Sequence, residues 1–171
     1  MNDLLALLAE ISVGFTGFAA IVSALGNAPG DADARLDRLR LLNLVETGVV
    51  IVVMATLPLV LLRAENGSEW AWTVSAVLLS TVLLTFAFLH GRRNRAAKVA
   101  DLEGYNLYSA VVVWMLGLGS LGVLAIGLLA PHLISVQVAY VTALWLLMTM
   151  LGWYFMRIAA SLLTHKLDAQ A

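Results

Sequence analysis

Five stretches of the chain are nearly continuous in apolar residues, and each is followed by a short polar segment. They cover residues 4–25, 41–62, 70–90, 107–130 and 133–156. A helix of about twenty residues, rising about 1.5 Å per residue, crosses the roughly 30 Å hydrocarbon core of a bilayer. The pattern therefore predicts an all-α fold: a polytopic integral membrane helical bundle of about five transmembrane helices, forming one domain over 1–171.

The polar segments set the boundaries. Asn27, Pro29 and Gly30 break the first run, and Asp31 is a helix N-cap candidate. Residues 31–40 carry Asp33, Arg35, Asp37, Arg38 and Arg40 with Leu36 and Leu39 on another face, which predicts an amphipathic lead-in running straight into the second span. Pro58 has no N–H and its ring displaces the Met54 carbonyl, so it bends the end of that span. Asn66-Gly67 marks a turn. Trp70 and Trp72 open the third span as interfacial anchors. Pro131-His132 forms the whole connection between the fourth and fifth spans, and residues 157–171 form a tail along the membrane surface. The first run is too long for a signal peptide, is interrupted by Glu10, and is preceded by no Lys or Arg, so it reads as a retained span.

Composition agrees. Of 171 residues, 61% are hydrophobic and 12% charged, where soluble domains carry about 45–50% and 25%. A net charge of −1 gives no basic field for nucleic acid, and the absence of cysteine removes disulfides, thiolate metal sites and thiol nucleophiles. With five spans and the N-terminus outside, Arg35, Arg38, Arg40, Arg92, Arg93, Arg95, Lys98, Arg157 and Lys166 fall on the inner side and Arg63 alone on the outer. Nine of the ten basic residues then lie inside, as the positive-inside rule requires.

Against this apolar background the two span carboxylates, Glu10 and Glu46, stand out. An acid within a span costs a few kcal/mol to insert, and such acids face a bundle interior or a wet cavity and mark a pathway. Low dielectric disfavours their charged form. Counted from span centres, Glu10 lies toward the outer side and Glu46 toward the inner, about 15 Å apart along the normal. That spacing suits two rungs of a proton or cation path and is too wide for a shared metal. The plainer reading is a pair of acids hydrogen-bonded between helices. Asn43, Glu46, Thr47 and Val50 share one face of the second span, so Asn43 and Thr47 join the candidate pathway.

Gly14 and Gly17 follow Glu10 at i+4 and i+7, beside a strip of Ser12, Thr16, Ala19 and Ser23. Such strips let helices approach closely, and the first two spans are expected to face each other through them. Gly119 and Gly122 carry the same expectation in the fourth span. Trp145 near the middle of the fifth reads as a packing residue. Arg92, Arg93, Arg95 and Lys98 are placed to touch lipid headgroups. His90, His132 and His165 lie at different depths and pair with no second ligand at helical spacing, so no cofactor or metal is expected, and no set of nucleophile, base and acid marks an enzyme.

Glu10, the run Gly14-Phe15-Thr16-Gly17-Phe18-Ala19-Ala20-Ile21-Val22, and Arg38-Leu39-Arg40 together resemble a pattern found in short bacterial inner-membrane proteins of unknown function. The resemblance covers the first two spans and implies an inner-membrane location without an activity. The expectation from the residues is a homo-oligomeric proton or cation conduit built on intramembrane carboxylates. The alternative is a scaffold or accessory subunit with membrane lipid and a membrane-protein partner.

Overall fold

A computed structural model of the protein describes residues 2–26, 32–64, 70–99 and 107–168. The breaks expected around Asn27–Asp31 and Asn66-Gly67 lie outside them. Five helices follow in order: α1 (Asn2–Gly26), α2 (Ala32–Ala64), α3 (Trp70–Val99), α4 (Leu107–Leu129) and α5 (Val136–Asp168). Four contain a stretch long and apolar enough to cross a membrane: Leu41–Arg63, Trp70–Arg93, Ala110–Leu129 and Val136–Ala160. The amphipathic lead-in is continuous with its span, as expected, and α3 and α5 run on beyond their apolar stretches into the basic segment and the tail.

The connection after α4 is longer than Pro131-His132. It spans 130–135, because Ser135 accepts the Val138 N–H on its side-chain oxygen and so starts α5 as an N-cap. The Leu133 N–H donates to the Ala130 carbonyl inside this turn.

The bundle's surface is oily and its interior carries hydroxyls. Leu129, Met115, Phe88, Val60, Ile21 and Leu84 all point outward, while Ser12, Thr47, Ser75 and Ser120 are buried. A protein folded for water does not leave this much large apolar surface exposed. Hydrocarbon offers no hydrogen bonds, so every polar group must be satisfied internally. The hydroxyls of Thr16, Ser75, Ser80, Thr81, Thr85, Ser120 and Thr149 do this by donating to the carbonyl four residues back.

α5 is the central helix and touches the other four, whereas α1 contacts only α2 and α5. Two glycines sit at close helix approaches. At Gly48 an added Cβ would collide with the Thr16 hydroxyl, and Ser12 donates to the Gly48 carbonyl at 3.0 Å, locking α1 to α2. At Gly127 it would collide with the Ala139 methyl, closing the α4–α5 corner. Ser120 adds a bond to the Ala143 carbonyl. α3 packs least extensively. Trp114 on α4 lies 3.7 Å from the Cβ position of Gly91, so its ring packs against α3 at this glycine.

Several sequence expectations need correction within the chain. α1 faces α2 through Ser12 and Thr16, but the Glu10–Gly14–Gly17 face turns away, and nothing lies within 4 Å of a Cβ at Gly14, Gly17 or Gly122. Gly119 meets only the Leu146 side chain, at ordinary contact distance. Trp72 is no interfacial anchor: it is 5% exposed and packs edge-on against Tyr140. Trp145 is 45% exposed and faces outward, with Thr142 and Thr149 on the same exposed side. Alternation along a uniformly apolar helix marks no preferred face, so these orientations follow from the contacts and not from periodicity.

Candidate functional site

Polar side chains from three helices gather at the end of the bundle where α2 begins and α3 and α5 finish. From α2 come Asn43, Glu46 and Thr47, one helical turn along a single face. From α3 come His90 and Arg93, three residues apart. From α5 come Tyr154 and Arg157, again three apart. Spacings of three and four place each set on one side of its helix.

The Arg93 guanidinium donates to both Glu46 carboxylate oxygens, at 2.7 and 2.9 Å, with the side chains 33% and 28% exposed. This forked geometry is the strong form of the pair. It clips α2 to α3 and gives the partly exposed Arg93 a partner within the bundle. Its neighbour Arg92 lies 5.8 Å over the Phe88 ring, and Arg95 is exposed. The Lys98 side chain is outside the described residues.

His90 sits behind the pair. Its Nδ1 lies 3.1 Å from the Phe86 carbonyl, and its ring stacks on Phe86. A carbonyl only accepts, so Nδ1 carries the proton, and in the neutral ring Nε2 is an acceptor. Four buried atoms of the cluster have no hydrogen-bond partner: Asn43 Oδ1, Thr47 Oγ1, His90 Nε2 and Arg157 Nε. Native proteins leave few such atoms, and a group of them at one place marks water or a ligand.

A cavity of about 60 Å³ adjoins the cluster, lined by all the helices except α1. Thr47, His90 and Tyr154 stand at its polar end, and Leu83, Leu121 and Leu147 at the other. Trp114, Gly117 and the half-exposed Leu118 of α4 form the wall toward the bilayer side.

Glu10 is elsewhere. It is exposed on α1 and makes no hydrogen bond or ion pair among the described residues. α1 does not touch α3, the helix to which Glu46 turns. Ser12 and Thr16 lie level with Gly48, which puts the two acids about 9 Å apart along the helix axes and on different sides of α2. The structure therefore brings Asn43, Glu46 and Thr47 together and leaves Glu10 apart. Sequence reasoning did not select His90, Arg93, Tyr154 and Arg157 as members of one cluster. The signal was present in their i, i+3 spacing at the ends of α3 and α5.

The described residues contain no grouping of three or more His, Asp or Glu side chains able to hold a metal ion. The arrangement defines a helical bundle with an oily exterior and a polar cluster at one end. No protein-family model, curated protein or solved structure matches the chain.

Proposed function

We propose that the protein is a non-enzymatic, homo-oligomeric cation or proton conduit of a bacterial inner membrane, with α1 as a fifth span, the N-terminus outside and the C-terminus inside. The exposed Glu10 carries this reading. A carboxylate on the open face of an apolar helix cannot rest against lipid without a cost of a few kcal/mol. Copies of α1 arranged around an axis would turn their Glu10 side chains to a shared wet path, and a ring of acids selects cations. Gly14 and Gly17, with open space beyond them, leave room for neighbouring helices to approach on the same face. In this reading Glu46 leaves the pathway: its carboxylate is occupied by Arg93 and holds the bundle together.

The same open glycines support a second reading, an accessory subunit whose α1 face receives a helix of another membrane protein. Subunit counting in lipid nanodiscs separates the two. A ring of several copies, weakened by Gly14→Leu, fits the conduit. A single copy that assembles only with a different protein fits the accessory role and removes the conduit.

A further inference from the structure

We propose that the cavity between α3 and α4 is a binding site for a long-chain alcohol, a single-chain amphiphile with a hydroxyl head, drawn from the bilayer. The polarity of the cavity carries the argument. Its polar end, at Thr47, His90 and Tyr154, lies within about a turn or two of the ends of the apolar stretches that begin at Leu41 and finish at Arg93 and Ala160. Its other end, at Leu83, Leu121 and Leu147, lies two turns deeper, roughly 10 Å nearer mid-span. A lipid in that leaflet has the same order, head at the surface and chain toward the middle.

The chemistry of the head follows from two buried side chains at the polar end, 2% exposed for Thr47 and 9% for His90. Thr47 Oγ1 and His90 Nε2 both lack a partner. Nε2 accepts, since Nδ1 donates to the Phe86 carbonyl. The Thr47 hydroxyl can donate. A ligand hydroxyl answers both, giving its proton to Nε2 and receiving one from Thr47. A carboxylate has no proton for Nε2, and a quaternary ammonium has neither function. The tail enters between α3 and α4, past the half-exposed Leu118. The enclosed volume of about 60 Å³ takes the head and the first few methylenes, and the rest of the chain lies along the open side of the cavity.

A long-chain alcohol bearing a mid-chain diazirine, irradiated with the whole protein in phosphatidylcholine nanodiscs, tests this. Labelling is expected on Leu83, Ala87, Val113 or Gly117. Dodecanol is expected to compete at roughly tenfold lower concentration than its methyl ether, which lacks the donated proton. Gly117→Leu, which fills the cavity without touching Thr47 or His90, abolishes the label, and Thr47→Val, which removes the proton that either oxygen accepts, weakens competition by dodecanol and by the ether alike. If Thr47→Val fails to fold, the alcohol–ether comparison on the unaltered chain decides. Equal competition by the ether, or labelling spread over the outward faces and insensitive to Gly117→Leu, would overturn the proposal and leave the cavity to water or bulk lipid.

Discussion

The Tyr140 hydroxyl donates at 2.5 Å to the Met54 carbonyl, the one acceptor on α2 to which Pro58 offers no N–H. The proline creates an orphan acceptor four residues back, and a tyrosine on α5 fills it from across the core. The pair ties the fully buried Tyr140 to α2 at the point where that helix has lost a bond of its own. Tyr140→Phe should therefore destabilise the bundle by about 1–3 kcal/mol, as expected for a buried acceptor left unpaired. In a Pro58→Ala background the N–H of residue 58 can serve Met54, and the penalty should shrink below about 0.5 kcal/mol. Unfolding in mixed detergent micelles, followed by circular dichroism over the four-variant cycle, checks this. Equal penalties in both backgrounds would mean that Tyr140 acts by packing alone.

The forked Glu46–Arg93 pair is a clasp between α2 and the loosely packed α3. It is about one-third exposed, so its loss should fall between the values for surface and buried pairs. Glu46→Gln should cost about 1–3 kcal/mol. Replacing both partners by leucine should cost less than removing either one, because no charge is then left unpaired. The same detergent unfolding assay reads both results. A double variant worse than the worse single one would contradict the clasp.

The two kinds of glycine on α1 and α2 should respond differently. Gly48→Ala meets the Thr16 hydroxyl, forces it from its bond with the Ser12 carbonyl, and should cost about 1–3 kcal/mol. Gly14→Ala meets open space and should change the fold's stability by less than about 0.5 kcal/mol. Melting temperatures of the two variants in the same detergent compare them directly.

Gly117 lines the cavity on α4, and a Cβ there touches nothing within 4 Å. Gly117→Ala should stabilise by about 0.5–1 kcal/mol, from the helix propensity gained without a clash. A loss of stability would show that the α3–α4 gap closes in lipid.

The helices were readable because twenty-residue apolar runs have one physical outcome in a bilayer. The continuous α2 was readable too, since nothing between Asp33 and Leu62 breaks a helix before Pro58. Facing was harder. α1 carries apolar residues around most of its circumference, and its two small-residue strips are adjacent, so composition did not decide that Ser12 and Thr16 would meet Gly48 while Gly14 and Gly17 looked outward. That choice was made by Gly48, whose missing side chain admits Thr16. Glu46 was visible as an unusual acid. Its partner was not, because Arg93 lies 47 residues away in a basic run that reads first as headgroup contact. Pro58 announced the orphan carbonyl of Met54, but nothing local pointed to Tyr140, 86 residues on, as the donor.

The conduit stands or falls on conductance across a planar bilayer, recorded in a potassium chloride gradient with the unaltered chain, Glu10→Gln and Glu46→Gln. The account predicts a cation-selective conductance that drops at least about tenfold with Glu10→Gln and stays within about twofold with Glu46→Gln. No conductance from the unaltered chain, or the same conductance with Glu10→Gln, would contradict it.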